Sequence, residues 1–260
     1  MCNKWQKELE VSIKAAIEAG KAIMDVYMSD DFGVEVKADN SPLTKADKAS
    51  NDIIVAMLRE HFTTYAILSE EEQDNKERLE NQLCFVVDPL DGTKEFVKRN
   101  GQFTVNIALA ENGKSIMGVI YVPVTGELYY ASEGDGAYLK VGEDVQKLHV
   151  SDRTEDIRVV MSSSHGCEQM DAMIEKNHLT NYVKMGSSLK GCVIAKGDAE
   201  IYYRFNPTME WDTAAMQCIV EEAGAIFRQM DDSLMCYNRE DSLNGKGFYI
   251  INCPENKMSW

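Results

Sequence analysis

Apolar residues recur at helical spacing near the N-terminus. Leu9, Ile13, Ala16, Ile17, Ile23, Met24 and Tyr27 share one face of residues 4 to 28. The segment KADNSPLT, rich in breakers, reads as a turn or loop, and a second helix is expected from near Thr44 to Phe62. The pattern then shortens: YAIL reads as a strand, SEEEQDNKERLEN as an acidic stretch, and CFVVD as an apolar strand ending at Asp88. After a short helical piece near Lys94, FTVNIAL alternates strictly, which puts Phe103, Val105, Ile107 and Leu109 on one face. Together with SIMGVIYVPV, ELYYAS and the turns at Asn112-Gly113 and Thr125-Gly126, it predicts an antiparallel meander. From Arg158 onward strands (RVVMSSS, NYVKMG, EIYYRF, AIFRQM, GFYIIN) alternate with helices (EQMDAMIEKN, SSLKGCVIAKG, WDTAAMQCIVEEAG), an α/β pattern. No repeat, low-complexity tract or long linker intervenes. A soft boundary near residue 150 divides an N-terminal α+β unit, 1–150, from a C-terminal α/β unit, 151–260.

Composition narrows the function classes. The 260 residues are 44% hydrophobic and 27% charged, an ordinary balance for a soluble globular protein with a substantial core. No apolar run approaches the roughly 18 to 20 residues needed to cross a bilayer. The polar start MCNKWQKELE lacks a signal-peptide apolar stretch, so a cytoplasmic location is expected. No amphipathic basic helix supports association with the membrane's inner face. Seven scattered cysteines form no C-x-x-C pair and read as reduced thiols. The net charge of −16 argues against a nucleic-acid polymer as partner, since phosphate backbones are held mainly by Lys and Arg. A small phosphate ester remains compatible with such a chain if a cation stands between it and the carboxylates.

Four carboxylate motifs could supply that cation site. In CFVVDPLDGTKEF, Pro89 stiffens a turn between Asp88 and Asp91, Gly92 lets a ligand approach the backbone, and Thr93 opens a helical segment with free N–H groups. The same residues would equally make a turn with Asp91 as a helix cap. Glu70 ends the strand of AILSE, although Glu70, Glu71 and Glu72 also read as a solvated charge run. Asp212 in NPTMEWDTAAM stands at a helix start, where one oxygen can cap while the other faces a cation. Thr44 and Asp47 have capping-box spacing, and Asp47 could instead orient a water. Each motif alone has an ordinary structural explanation. Together, Glu70, Asp88, Asp91 and Asp212 make an all-oxygen set suited to a hard cation, Mg²⁺ best of all. The glycines of GDGAYLKVG look like a phosphate loop, but no strand–loop–helix unit surrounds them, and a hairpin turn is expected.

DPLDGT, with SEE upstream and WDTAA downstream, resembles the inositol monophosphatase superfamily of Mg²⁺-dependent, lithium-sensitive phosphatases. KADNSPLTKAD, LSEE, DPLDGTKEFVKRNGQFTVNIAL, GSSLK and WDTAA, in order along nearly the whole chain, resemble the bacterial 3'(2'),5'-bisphosphate nucleotidases of the CysQ type. Where inositol monophosphatases typically carry Thr-Asn-Phe, this chain has Lys94-Glu95-Phe96. The resemblance implies a layered α-β-α-β-α sandwich holding two or three Mg²⁺ ions per active site. Glu70, Asp88 and the Leu90 carbonyl would bind one ion, and Asp88, Asp91 and Asp212 a second. Glu70, Leu90, Asp91, Gly92, Thr93 and Asp212 would also line the phosphate site, with Thr93 and Asp47 positioning and activating the attacking water. His165, Ser187, Lys190 and Arg204 would contact the nucleotide. The implied reaction removes the 3'-phosphate of adenosine 3',5'-bisphosphate, a by-product of sulfate assimilation, and the sulfated nucleotide is a second possible substrate. An inositol monophosphatase and a catalytically silent metal- or nucleotide-binding regulator are the competing readings. A Leu-Asn-Pro-Gly stretch expected near the C-terminus is replaced by SLNGKGF at residues 242–248, and oligomeric state is left open.

Overall fold

The computed structural model describes residues 4–29, 31–36, 42–74, 76–163 and 166–260. Helix α1 (Gln6–Tyr27) and helix α2 (Lys45–His61) form the first layer, joined through a two-residue ladder of β1 (Glu35–Val36) and β2 (Pro42–Leu43). The periodicity of Leu9, Ala16 and Ile23 therefore has its expected outcome: all three are buried. Pro42 and Leu43, expected in a loop, instead pair with Val36 and Glu35; a two-residue strand is too short to leave a period in sequence. Residues 37–41 of the breaker segment lie outside the described residues.

The second layer is a seven-stranded sheet of β3 (Ala66–Ser69), β4 (Leu83–Asp91), β5 (Thr104–Glu111), β6 (Lys114–Val122), β7 (Glu127–Ser132), β8 (Gly136–Val141) and β9 (Asp144–Lys147), paired in chain order. Only β3 and β4 run parallel; the rest form the expected meander, and residues 133–135 make the hairpin turn rather than a phosphate loop. Phe103, Val105, Ile107 and Leu109 face α1 and α2 in one apolar cluster, while Ala108 and Ala110 face the opposite way into another. Helix α3 (Thr93–Val97) follows β4 directly.

The second half supplies the remaining layers. The outer sheet orders β11 (Asn181–Met185), β10 (Arg158–Ser162), β12 (Ile201–Arg204), β16 (Phe248–Ile251) and β14 (Ile226–Gln229). Helices α5 (Leu189–Ala195) and α6 (Glu210–Glu222) lie between the sheets, and α4 (Glu168–Lys176) covers the outer face through Met170 and Met173. A two-residue pair, β13 (Thr208–Met209) with β15 (Leu243–Asn244), sits at the start of α6. Layers therefore run α-β-α-β-α. The central apolar cluster draws Val86 and Ile120 from one sheet, Val160 and Ile250 from the other, and Ala214, Ile219 and Ile194 from the helices between. Burying each such branched side chain is worth about 1.5–3 kcal/mol.

Helix α6 approaches the first sheet without side chains in between. A Cβ placed on Gly118 of β6 would fall 2.4 Å from the Ala215 carbonyl oxygen, and Ser115 Oγ donates to the Ala214 carbonyl at 2.7 Å. A Cβ on Gly191 of α5 would meet Met216 Cγ at 2.2 Å, so there the Met216 side chain of α6 fills the space against α5. Among the described residues six cysteines are free, with Cys84, Cys192 and Cys218 buried. No helix among them is long and apolar enough to cross a membrane.

Candidate active site

The strand carrying Asp88 does not end there. Strand β4 continues to Asp91, with a break in register between Asp88, opposite Asn106, and Asp91, opposite Thr104. The irregularity follows from Pro89, which has no N–H to give a ladder, and it turns both carboxylates to one side. Asp88 Oδ1 accepts from the Leu90 N–H at 3.1 Å, and Ser50 Oγ of α2 donates to the Pro89 carbonyl at 2.6 Å. Gly92 has φ +91°, a conformation L side chains rarely adopt, and α3 starts at the next residue.

Asp212 is delivered by helix α6, from the layer between the sheets. It is the third residue of α6, and its Oδ2 caps the helix by accepting from the Met209 N–H at 2.7 Å. Loop residues 238–244 secure that helix start. The Ser242 carbonyl accepts from Glu210 N at 2.9 Å, and Asn244 Nδ2 donates to the Met209 carbonyl at 2.8 Å and to Thr213 Oγ1 at 3.1 Å. The departure at SLNGKGF thus retains an architectural task.

One oxygen from each of Asp88, Asp91 and Asp212 lies within 4.8 Å of the others. Burial first, then the charges of Glu70, Asp91 and Asp212, push the Asp88 carboxyl well above the usual carboxylate range. Burial, followed by repulsion from Asp91, raises Asp212 to about 7 against the opposing Met209 hydrogen bond. Buried carboxylates repelling one another, with oxygen donors only, fit a hard divalent cation, which would restore their ionised forms.

Beside the cluster, Asp47 caps α2 through one oxygen and meets Thr93 through the other. Oδ2 accepts from the Thr44 N–H at 2.7 Å and from Thr44 Oγ1 at 2.6 Å; Oδ1 accepts from Thr93 Oγ1 at 3.1 Å. The Thr93 hydroxyl also lies 3.2 Å from the Leu90 carbonyl. Asp47 is 1% exposed, so its charge acts in a low-dielectric setting.

A cleft of about 290 Å³ brings together Glu70, Asp91, Gly92, Thr93 and Asp212 with Ser187, Lys190 and Arg204. Glu70 is half-buried there, not part of a solvated run, and its N–H donates to the Val87 carbonyl. Lys190 is 8% exposed rather than a surface cation; burial lowers its pKa against the pull of Asp91, and its Nζ donates to the Ser187 carbonyl at 2.5 Å. Arg204 Nε donates to the Asn206 carbonyl at 3.2 Å. His165 lies outside the described residues. Ser188, Asn106 and Thr104 were not singled out in sequence. Ser188 Oγ donates to Asp91 Oδ2 at 2.6 Å, and Asn106 Nδ2 donates to Ser188 Oγ at 2.9 Å. The available signal was polar Thr104 and Asn106 alternating with apolar residues in a strand buried on both faces.

The model of the inositol monophosphatase family matches residues 4–252. The chain is similar to the 3'(2'),5'-bisphosphate nucleotidase CysQ of Escherichia coli K12, with 40% identity over 244 residues, 93% of this chain and 98% of that protein. The protein of the same name from Buchnera aphidicola is 41% identical over 251 residues, covering 95% of this chain and 94% of its own. Among solved structures, CysQ from Bacteroides thetaiotaomicron, described as a bacterial member of the inositol monophosphatase family, gives a TM-score of 0.85 at 39% identity. That match covers 96% of this chain and 99% of that one. An inositol monophosphatase structure from Thermotoga maritima gives 0.79 at 26% identity, covering 95% and 92%.

Proposed function

The chain belongs to the inositol monophosphatase family, and on that premise we propose that it is a Mg²⁺-dependent 3'(2'),5'-bisphosphate nucleotidase. It hydrolyses the 3'-phosphate of adenosine 3',5'-bisphosphate to AMP and inorganic phosphate, in the cytoplasm. The single observation that carries this reading is the pairing, in one cleft, of a carboxylate cluster with two cationic side chains, Lys190 and Arg204. A substrate with two phosphates has an anion for each wall: one beside the carboxylates for cleavage, the other on the cations for recognition. Inositol 1-phosphate has only the first.

Glu70, Asp88, the Leu90 carbonyl, Asp91 and Asp212 would hold Mg²⁺, which supplies positive charge to the phosphoryl oxygens and to the leaving oxygen. The scissile phosphate rests on the backbone of Asp91, Gly92 and Thr93. Thr93 Oγ1 donates its hydrogen bond to Asp47 and so presents a lone pair to the attacking water. As water attacks phosphorus, its proton passes to the Thr93 oxygen while the Thr93 proton moves to Asp47, a general-base relay. The P–O bond to the 3'-oxygen breaks, and that oxygen takes a proton from a solvent water and leaves as the ribose hydroxyl. His165, Ser187, Lys190 and Arg204 orient the nucleotide.

Rates on adenosine 3',5'-bisphosphate and inositol 1-phosphate, each with Mg²⁺ and with EDTA, test the proposal. Expected is turnover that favours the bisphosphate and vanishes in EDTA. Preference for inositol 1-phosphate would make the chain an inositol monophosphatase, and absence of turnover on both a silent binder.

A further inference from the structure

The hydrogen bonds around Asp91 are unequal in a way the cation site alone does not require. Its Oδ2 accepts from Ser188 Oγ at 2.6 Å and from Ser187 Oγ at 2.7 Å, with Asn106 Nδ2 at 3.4 Å. Behind these donors stands a second rank. Asn106 Nδ2 donates to Ser188 Oγ at 2.9 Å, and Thr104 Oγ1 lies 2.7 Å from Ser187 Oγ and 2.8 Å from Asn106 Oδ1. Ser187 adopts φ +51°, an uncommon backbone state for a serine, and the buried Lys190 ammonium holds its carbonyl. Ser188, Asn106 and Thr104 are each no more than 1% exposed. Buried polar groups without a partner are costly, and well-packed apolar residues would fill the same space. Three of them, Ser188, Ser187 and Asn106, converge here on one oxygen of one carboxylate, and Thr104 holds two of the three.

We propose that Ser188, backed by Asn106, is a positioning residue for Asp91: by saturating Oδ2 it reserves Oδ1 for the cation and fixes the plane of the carboxylate. The proton count agrees. Ser188 has a single hydroxyl hydrogen, and its shorter, charge-assisted contact is with Asp91 rather than with the Asp212 carbonyl at 3.3 Å. Asn106 supplies the hydrogen that Ser188 then accepts. Hydrogen-bond partners of metal ligands commonly govern affinity about 10- to 100-fold. Lys190 connects this clamp to the substrate wall, since the ammonium that fixes the Ser187 kink also lines the cleft. The inference rests on the reading above that Asp91 is a cation ligand.

Calorimetric titration of the whole protein with Mn²⁺, in the absence of substrate, separates the two ideas. Ser188→Ala and Asn106→Leu are expected to weaken Mn²⁺ about 10- to 100-fold, while melting in EDTA shifts little. Ser188→Thr, which keeps the hydroxyl, should restore affinity, and saturating Mn²⁺ should return most of the kcat lost in Ser188→Ala. If Ser188→Ala binds Mn²⁺ like the parent while Asp91→Asn does not, Asp91 is a ligand and the clamp idea is overturned alone. If melting in EDTA falls in step with affinity, or Thr fails to rescue, Ser188 is only structural and the inference again fails. Unchanged Mn²⁺ affinity in Asp91→Asn would overturn both the clamp and Asp91's place in the cation site.

Discussion

The two halves of the cleft are assembled by opposite means. Asp88, Leu90, Asp91 and Thr93 lie within one strand–turn–helix, and their mutual contacts are local: Leu90 N–H to Asp88, Thr93 hydroxyl to the Leu90 carbonyl. Ser187 and Lys190 (at α5), Arg204 (β12) and Asp212 (α6) come instead from three elements spread over residues 187–212. The placing of those elements relies on residues far away in sequence, Ser187 on Asp91 and the start of α6 on the 238–244 loop. Glu210, fully buried beside Asp212 in the chain, accepts from the Asn238 and Arg239 N–H groups. Arg78, from the first half of the chain, grips Asp74 at 2.8 Å, Asn238 Oδ1 at 2.9 Å and the Arg239 carbonyl at 2.8 Å. On the function proposed above, the contiguous half would hold most of the reacting groups, and the dispersed half would add Asp212 to them and read the rest of the ligand through Lys190 and Arg204.

The largest expected effect tests the first half. Asp47→Asn keeps the shape and the Thr44 end of the cap but weakens the acceptor for the Thr93 proton, so kcat should fall about 10²- to 10⁴-fold. KM and Mg²⁺ affinity should stay close to the parent values, because Asp47 is not a proposed ligand. Steady-state kinetics, a Mg²⁺ titration and a melting curve on one preparation check this; loss of stability with an unchanged rate per folded molecule would reduce Asp47 to a cap.

The second half should respond in KM instead. Lys190→Met preserves the buried stem and deletes the charge. Losing one charge-assisted contact, worth about 1.5–3 kcal/mol, should raise KM for the bisphosphate about 10- to 150-fold. A nucleotide lacking the second phosphate should be affected far less. Equal loss on both substrates would erase the contrast drawn between the halves.

The smallest expected effect concerns pH. In the folded, cation-free protein Asp212 is raised to about 7, whereas an unfolded aspartate ionises near its ordinary value of about 3.9. Its contribution to stability is therefore complete below the unfolded pKa and is lost as pH rises through about 7. Asp88 is shifted in the same direction. Melting in EDTA should thus decline from mildly acidic to mildly alkaline pH, and added Mg²⁺ should raise the melting point more at the alkaline end. A flat profile would contradict the buried, mutually repelling cluster.

How much of this was legible follows the same division. The long helices and the meander announce themselves by period, and DPLDGT, WDTAA and SEE each point to a carboxylate that reaches the cleft. The remainder depends on contacts no period encodes. Arg78 sits in a stretch that reads as solvated charge, yet Asp74 and the 238–242 loop bury it. The β13–β15 pair is too short to show alternation. Strand β4 reads as ending at Asp88 because proline normally stops a ladder, and here the ladder resumes after a break. Asp47 reads as a choice between capping and orienting a water because sequence does not show its two oxygens facing different partners, Thr44 and Thr93.

The bare contact between Gly118 and Ala215 has a consequence for the permitted residue alphabet. It acts as a gauge: the thickness between strand β6 and helix α6 sets how far Asp212 stands from Asp88 and Asp91. Gly118, set against the backbone of Ala215 on that helix, is thereby a distance requirement written in volume. One added methyl at Gly118 would push the helix away and carry a carboxylate from its partners without touching the cleft. Loss of activity from such a remote methyl would be a metrological fault rather than a chemical one.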